Sequence, residues 1–334
     1  MRKILSIIFL SGLVFSVHAA DNKEVVIYTS QDGIFSEPIL KDFEAKTGIK
    51  VKAVYDVEAA KTVGLINRLI AEKDNPQADV FWNSEICRTI VLKQKGVLVP
   101  YASPSAINIP ASFKDKDDQW TAFGGRGRIM VYNTDLLKEA DAPKSIYDLA
   151  DPKWNGKFCM ANPLFGTAAT HAAALYIYLG PDKLRKLLFD FKANNILIVD
   201  GNAPSRDRVI SGMVPVGYTD TDDATVSIEE GKPIAMIFPD KETIGTLVMP
   251  NTVAMIKNCP HPDAAKAFIN YLLSEEVESK LLFSGAIQIA CRPNVKKPAN
   301  AMDLNSIKAM DLDWEKVADS IEPSAKIVKE TLLK

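Results

Sequence analysis

The chain has 334 residues, 47% of them hydrophobic and 25% charged, which is the composition of an ordinary globular protein. That length allows two domains or one divided domain. Forty basic residues stand against 42 acidic ones, for a net charge of −2. This balance argues against nucleic acid as a partner and against a long, charged, disordered tail.

The N-terminus has the pattern of a secretory signal peptide. Arg2 and Lys3 precede a mostly apolar run, residues 4–17, which is too short to cross a bilayer comfortably. Val17-His18-Ala19 then places small residues around a cleavage position. Residues 1–19 are therefore predicted to be removed on secretion, which predicts a periplasmic protein.

Strands and helices alternate through the first third of the chain. The predicted strands are residues 24–30, 50–57 and 78–82, and the predicted helices are residues 36–47, 61–73 and 86–95. Such alternation predicts a mostly parallel α/β sheet with right-handed crossovers. Ser30, Gln31 and Glu85 directly follow two of these strands, which makes them candidate ligand contacts. Glu85 equally suits the stabilisation of a helix N-terminus.

The middle of the chain offers two features suited to an anion. Arg126 lies in a glycine-rich turn, GGRGR, before a predicted strand at residues 129–133. Its guanidinium can offer a bidentate fork to an anion, or it can be an ordinary exposed arginine. Farther on, Gly166 and Thr167 open an Ala-rich helix, residues 168–179, whose first-turn amides form a candidate anion site.

An acidic stretch follows a short predicted strand that ends at Tyr218. It contains Asp220, Asp222 and Asp223, just before a predicted helix. Carboxylates at the end of a strand that leads into a helix lie where α/β folds bind ligands. The same carboxylates also suit helix caps and partners of the helix dipole. Both interpretations are open at the level of sequence.

The sequence lacks the common catalytic signatures. It has no G-x-S-x-G, no H-E-x-x-H and no P-loop. A binding protein without chemistry of its own is therefore the prediction. A secreted α/β hydrolase or lyase and a structural or adhesive secreted domain are the alternatives from other functional classes.

The four cysteines have no C-x-x-C spacing, which argues against a redox pair or a zinc knuckle. In an oxidising compartment they allow three full pairings. Cys259 and Cys291 flank a predicted helical region, residues 264–283, so they are the predicted disulfide pair. Cys87 lies in a predicted helix and suits a buried position.

Several motifs together resemble a known family. They are VVIYTSQD, ADVFWNSE, GRIMVYNTDLL and the long stretch IFPDKETIGTLVMPNTVAMIKNCPHPDAAKAFINYLLSEE. The chain resembles the periplasmic substrate-binding proteins of ABC transporters, in particular the ferric-ion-binding group. The resemblance covers nearly the whole mature chain, and the last stretch is its most specific part.

The resemblance implies a fold and a way of working. The family has an α/β, two-lobed, type II binding-protein fold, with crossing strands as the hinge and the ligand cleft between the lobes. Lobe one is expected at residues 21–124 plus 248–295, and lobe two at residues 125–247 plus 296–334. The implied protein is a non-enzymatic periplasmic monomer that binds a small ligand and passes it to the permease and ATPase of an ABC importer.

The resemblance also places ligand contacts on this sequence. Ser30 and Gln31 fall on a ligand-facing loop, and Glu85 falls on the family's acidic metal ligand. Thr167 and Ala168 fall on the helix start that holds a synergistic anion in the family. With the features above, the predicted ligand-binding residues are Ser30, Gln31, Glu85, Arg126, Thr167, Ala168, Tyr218, Asp220, Asp222 and Asp223.

The chain departs from the family at the metal. Family members bind iron through paired tyrosines, whereas this sequence has a single Tyr218 and matches the pair with Asp222 and Asp223. The predicted metal ligands are Glu85, Tyr218, Asp222 and Asp223, and the implied bound species is Fe³⁺ with a synergistic anion. A divalent cation, or an aminophosphonate or other amine-bearing phosphorylated compound, is the alternative ligand.

Overall fold

The computed structural model describes residues 24–56 and 63–334, so the predicted signal peptide lies outside the described residues. The strands are short except for two long central ones. They are β1 Glu24–Thr29, β2 Lys50–Tyr55, β3 Val80–Asn83, β4 Leu98–Val99, β5 Thr121–Asn133, β6 Phe158–Ala161, β7 Leu197–Val199, β8 Val216–Asp220, β9 Ile234–Ile237, β10 Val248–Ile256, β11 Ile289–Ala290 and β12 Met302–Asp303.

The helices lie between the strands and at the C-terminus. They are α1 Gly33–Thr47, α2 Val63–Ala71, α3 Ile86–Gln94, α4 Gly166–Leu179, α5 Pro181–Ala193, α6 Asn202–Ile210, α7 Thr221–Glu229, α8 Pro262–Leu272, α9 Glu275–Ser284, α10 Trp314–Asp319 and α11 Ile321–Thr331. None of the described helices has both the length and the hydropathy that crossing a bilayer requires.

The strands pair in the order β2-β1-β3-β10-β5-β8-β6-β7. We call β2, β1, β3 and β10 the first half of the sheet, and β8, β6, β7 and β9 the second half. Strand β1 is parallel to β2 and β3, and β6 is parallel to β7 and β8, as the strand–helix alternation predicts. Strand β10 runs antiparallel to β3 and β5, and β5, which is antiparallel to both β10 and β8, joins the halves.

Strand β5 passes from one half of the sheet to the other. Residues 121–127 pair with β10, and residues 128–132 pair with β8. The prediction of a turn at GGRGR is wrong, because these residues belong to one continuous, buried strand. The glycines serve close packing instead. A Cβ on Gly124 would clash with the Ile287 side chain, and one on Gly127 would lie 3.0 Å from Phe238 Cε1.

Each half of the sheet is covered by its own aromatic contacts. In the first half, the ring of Phe268 on α8 lies 5.2 Å from Phe43 and 6.1 Å from Trp82. In the second half, Phe158 on β6 packs edge-on against Phe191 on α5, with ring centroids 5.4 Å apart. The C-terminal helices lie across the molecule: α10 packs on α3 and α4, and α11 packs on α4 and α5. The exact lobe boundaries expected from the sequence stay a prediction.

The predicted disulfide is wrong. Cys87, Cys159, Cys259 and Cys291 are all free and buried. Cys259 precedes α8 and Cys291 follows β11, and each is enclosed in the main hydrophobic core. Burial raises the pKa of the Cys259 thiol to about 12, and burial also raises that of Cys291. The position of Cys87 in a buried helix is as the sequence predicts.

Candidate functional site

A narrow cavity lies where β6, β7 and β8 end. Because these strands are parallel, their carboxyl ends meet at one edge of the sheet, which is where α/β folds bind ligands. The cavity volume is about 30 Å³, enough for a small polar group. We call it the strand-end cavity; its lining residues are Ser84, Arg126, Ala161, Asn162, Phe165, Gly166, Thr167, Ala168, Asp200, Gly201, Asn202 and Asp220.

Two helices begin at the strand-end cavity. Helix α4 follows Phe165 and helix α6 follows Gly201, and no side chain in the described part of the chain caps either start. Gly166 has a φ of 51°, in the left-handed region that favours glycine. The first amides of a helix have no partner within it and carry the positive end of its dipole. Two uncapped helix starts facing one cavity present backbone donors of the kind that bind anions.

Asp220, at the end of β8, holds this arrangement together. Its Oδ2 accepts hydrogen bonds from Thr167 Oγ1 at 2.7 Å and from Asn202 Nδ2 at 2.8 Å, so it ties the starts of α4 and α6 to each other. Its Oδ1 lies 3.0 Å from Arg128 Nη1. The register of β5 and β8 places Arg128 directly opposite Asp220, and both side chains are fully buried.

Arg126, two residues earlier on β5, bridges the halves of the molecule. Its Nη1 donates to Asp222 Oδ2 at 2.6 Å, and its Nη2 donates to the backbone oxygen of Ser84 at 2.8 Å. Burial works against the charge, but Asp222 and Asp220 outweigh it, so the pKa of Arg126 lies above its usual value. Its Nε has no hydrogen-bond partner among the described residues. A charged donor therefore faces the strand-end cavity.

Tyr218 and His171 lie buried beside Arg128. The Arg128 guanidinium carbon is 5.1 Å from the centre of the Tyr218 ring, and the His171 ring is 5.3 Å from Tyr218. Burial raises the pKa of Tyr218 well above 10, which keeps the phenol protonated. Burial and, to a lesser degree, Arg128 lower the pKa of His171 to about 3, so its imidazole is neutral at pH 7.

Glu85 is the N-cap of α3. Its carboxylate accepts from the backbone amides of Cys87 and Arg88, each at 2.8 Å. Oε2 also accepts from Thr170 Oγ1 at 2.8 Å, a contact between α3 and α4. Glu85 is fully buried, and this burial raises its pKa. The interpretation of Glu85 as a helix-terminus residue thus accounts for its hydrogen bonds.

A second pocket lies in the first half of the sheet, at the ends of β1 and β2. Its volume is about 230 Å³. We call it the Gln31 pocket; its lining residues are Thr29, Ser30, Gln31, Asp32, Gly33, Glu37, Tyr55 and Asp56. The Ser30 hydroxyl donates to Asn83 Oδ1 at 2.6 Å and lies 3.0 Å from the Ser84 hydroxyl.

Comparison with known proteins identifies the family. The sequence pattern of the bacterial extracellular solute-binding proteins matches residues 39–304. The chain belongs to this family. Its members bind solutes for transport, and they are not enzymes.

Solved structures of relatives have the same fold as this solute-binding protein. The ferric binding protein from Campylobacter jejuni has a TM-score of 0.82 and 27% identity, with 92% of this chain and 99% of that one covered. The periplasmic binding protein AfuA from Actinobacillus pleuropneumoniae, solved with fructose-6-phosphate, has a TM-score of 0.83 and 25% identity over 93% and 98% of the two chains. The likeness confirms the two-lobed, type II α/β fold.

A relative found by sequence has a name that refers to iron, as does the ferric binding protein. Iron uptake protein A1 of Synechocystis sp. is 24% identical to this solute-binding protein, over 93% of this chain and 87% of the relative. Near-complete coverage on both sides means that the similarity extends through both halves of the sheet.

The structure distributes the predicted ligand-binding residues of this solute-binding protein among several places. Four of them line the strand-end cavity: Arg126, Thr167, Ala168 and Asp220. Ser30 and Gln31 line the Gln31 pocket. The other four, which line neither, are Glu85, Tyr218, Asp222 and Asp223. Asp222 and Asp223 belong to the first turn of α7, where acidic residues favour the helix.

Sequence reasoning missed several residues of the strand-end cavity. Ser84, Asn162 and Asn202, which line it, were not singled out, and neither was Arg128, which pairs with Asp220 beside it. Asn162 directly follows β6, in ANP, and Asn202 lies three residues after the end of β7, in DGN, where α6 begins. A polar residue beside glycine or proline at a strand end was the signal that could have found them.

The predicted metal ligands are dispersed in the structure. Within residues 24–56 and 63–334, no three or more His, Cys, Asp or Glu side chains are grouped so that they could hold a metal ion. Asp222 is paired with Arg126, and Asp223 lies 3.5 Å from Arg206. The metal assignment stays a prediction.

Proposed function

We propose that this protein is the periplasmic solute-binding component of an ABC importer and that its ligand docks through an oxyanion. The observation that carries this proposal is the strand-end cavity, where two uncapped helix starts and the Arg126 guanidinium face one small space. Backbone amides and arginine are the donors that proteins use for phosphate, carboxylate and carbonate groups.

Closure around the ligand follows from the position of Arg126. Its guanidinium contacts Ser84, which follows β3 in the first half, and Asp222 on α7 in the second half. A ligand that touches Arg126, Ser84 and the start of α4 gains contacts from both halves only when the cleft is closed. Such a ligand favours the closed population, and a permease can recognise that state. The proposed protein acts as a monomer and performs no chemistry.

The first candidate ligand is ferric iron carried with a small oxyanion. The names of the Campylobacter and Synechocystis relatives support it. In this arrangement the anion occupies the strand-end cavity and supplies oxygen ligands to the metal. The protein's own predicted ligands, Glu85, Tyr218, Asp222 and Asp223, require movement away from their present partners.

The second candidate is a phosphorylated small molecule. It is favoured by the pairing of the buried carboxylates: Asp220 faces Arg128, and Asp222 faces Arg126. Because these carboxylates are already paired, the groups that the strand-end cavity offers to a ligand are mainly N–H donors. The relative solved with fructose-6-phosphate gives this candidate independent support.

A single substitution can test the oxyanion site. Ala168 lines the cavity at the third position of α4, so Ala168→Asp puts a carboxylate where the oxyanion is expected. Acidic residues in the first turn stabilise helices, so the variant is expected to fold. Ala168→Ser is the matched control, because it is polar and uncharged.

The measurement is a thermal-shift panel on the mature protein with inorganic phosphate, fructose 6-phosphate, ferric citrate, and ferric iron with carbonate. A true ligand at about 100 times its dissociation constant adds roughly 2.7 kcal/mol to the free energy of unfolding. We expect this shift in the wild type and in Ala168→Ser and its loss in Ala168→Asp. A full shift in Ala168→Asp would show that the oxyanion does not dock at α4. The panel itself separates iron from phosphorylated ligands.

A further inference from the structure

The C-terminal helices connect the two halves of the molecule. Helix α11 packs on α4 and α5, which follow β6 in the second half, and its Ile327 and Val328 are buried. Helix α10 packs on α4 as well, but it also packs on α3, which follows β3 in the first half. Ser320 alone separates α10 from α11, so α10 is tied closely to the second half. We call α10 the C-terminal strap.

The contact between the C-terminal strap and the end of α3 is polar. Gln94, the last residue of α3, donates from Nε2 to Asp319 Oδ1 at 2.8 Å and to Glu315 Oε2 at 3.4 Å. The neighbouring Lys93 has its Nζ 3.4 Å from Glu315 Oε1. We call this contact the α3–strap seam. It joins a helix of the first half to a helix that is packed on the second.

The α3–strap seam can separate without leaving a charge unpaired. Lys93 also pairs with Asp115 at 2.5 Å and with Asp117 at 3.1 Å, both of which precede β5 on the side of the first half. The Glu315 side chain is 46% exposed and Gln94 is exposed, so water can replace their partners. Exposed ion pairs are weak, whereas a buried pair is costly to break. The seam therefore has the properties of a contact that forms and releases readily.

At its other end, α3 contacts α4 directly. The Thr170 hydroxyl of α4 donates to Glu85 Oε2 at 2.8 Å. Cys87, in the first turn of α3, is fully buried. Burial and the Glu85 charge raise the pKa of its thiol, and the Thr170 hydroxyl acts against them. The Cys87 thiol thus lies beside α4, so movement of α3 away from α4 would expose it.

We infer that the C-terminal strap is a releasable latch on the cleft: it holds α3 against α4 when the cleft is closed, and it lets go of Gln94 and Lys93 when the halves part. Hinge motion turns two rigid bodies about a few connecting residues, and β5 passes from one half to the other at residues 127–128. Because the strap is packed on the second half, the seam shifts when this connection bends. The inference concerns the motion of the cleft, whichever ligand the cleft binds.

The test crosslinks the α3–strap seam in the complete mature protein. Gln94→Cys combined with Asp319→Cys introduces two thiols at exposed positions, and a short, reducible bis-methanethiosulfonate reagent can join them. Arg185→Cys combined with Glu330→Cys, joined in the same way, is the matched control. Those two positions pair α5 with α11 within the second half, so their crosslink does not hold the halves together.

The readout is alkylation by iodoacetamide, followed at each cysteine by peptide mass mapping. Cys87 reports the parting of α3 from α4. Cys159, buried in a core of the second half, reports global unfolding. We expect Cys87 to be alkylated faster than Cys159 before crosslinking, because the rate at a buried group follows the population of the open form.

Crosslinking the seam should slow alkylation of Cys87 by about tenfold or more, because the open form is then suppressed. Reductant should restore the rate, and the control crosslink should leave it unchanged. Glu315→Gln combined with Gln94→Ala weakens the seam without a crosslink. We expect this variant to accelerate alkylation of Cys87 by about two- to fivefold, the effect of losing weak exposed contacts.

Two alkylation results would overturn the inference. One is a Cys87 rate that the seam crosslink leaves unchanged, and the other is equal rates at Cys87 and Cys159 in the uncrosslinked protein. A titration with inorganic phosphate separates this inference from the proposed oxyanion site. Phosphate binding that is lost on crosslinking and regained on reduction supports both, and unchanged binding contradicts the latch. If phosphate binds no form while the crosslink slows Cys87, the latch stands and docking of phosphate is contradicted.

Discussion

The strand-end cavity and the Gln31 pocket are both built at the ends of parallel strands, but they differ in how their polar groups are satisfied. In the cavity, Asp220 accepts from Thr167, Asn202 and Arg128, so its charge is fully engaged. In the pocket, Gln31 keeps a buried acceptor without a described partner. The same position, at the ends of parallel strands, thus gives a donor site in one half of the sheet and an acceptor in the other.

This difference teaches that an acidic residue near a cleft does not by itself make an acidic site. Asp220 borders the cavity, yet its partners turn it into a support for two helix starts and an arginine. The character of the cavity comes from the donors that Asp220 orients. Among the described residues that line the Gln31 pocket, none is an arginine.

The largest expected effect comes from removing Asp220, which supports two helix starts and Arg128. Asp220→Ala leaves Arg128 buried without its carboxylate, and breaking a buried pair in this way costs about 3–5 kcal/mol. The free energy of unfolding, measured in urea, should fall by that amount. Asp223→Ala is the matched control from the same helix start. Its partner Arg206 lies 3.5 Å away and keeps a second carboxylate, Asp207 at 2.8 Å, so we expect a loss of only about 1 kcal/mol. Equal losses would remove the distinction between the two aspartates.

A second test uses the pH dependence of the free energy of unfolding, to which His171 on α4 contributes. The pKa of His171 is near 6.5 when unfolded and about 3 when folded. Between these values the unfolded chain binds the extra proton, so the free energy of unfolding falls as the pH falls. At pH 5 the loss from this histidine is about 2 kcal/mol relative to pH 7.

The control for this test is His171→Gln, which cannot titrate. Denaturation in urea from pH 7 to pH 4 should show a steeper acid loss in the wild type than in the variant. Parallel curves would mean that folding does not lower the pKa of His171. Raised pKa values at Glu85 and Asp222 act in the opposite direction and are common to both proteins.

The smallest expected effect concerns Glu85, at the contact between α3 and α4. Glu85→Gln keeps an oxygen for only one of the amides of Cys87 and Arg88 and turns an N–H donor towards the other, so the free energy of unfolding should fall by about 1 kcal/mol. Glu85→Ala removes the cap and should cost about 1–2 kcal/mol. Phosphate binding should survive in Glu85→Gln. Loss of ferric binding at unchanged stability would instead support the predicted metal-ligand role of Glu85.

Local patterns predicted the parts of the site that lie within one element. The start of α4 is an example, because Gly166 and Thr167 precede an Ala-rich run after a strand, and both line the cavity. The family was likewise recognisable from short motifs such as ADVFWNSE. The long strand β5 was only half predicted, because its glycines indicate a turn locally and fit a strand only against Ile287 and Phe238.

The amino-acid sequence by itself determined the α/β class, the family and the strand ends at which the polar residues gather, since hydrophobic periodicity and turn residues act over a few neighbours. Tertiary structure alone decided which charges meet. Arg128 and Asp220 are separated by 92 positions and become partners only through the register of β5 and β8. It also decided that Cys259 and Cys291 are buried apart as thiols. Pairings over such distances depend on the order of strands in the sheet, which no local pattern encodes.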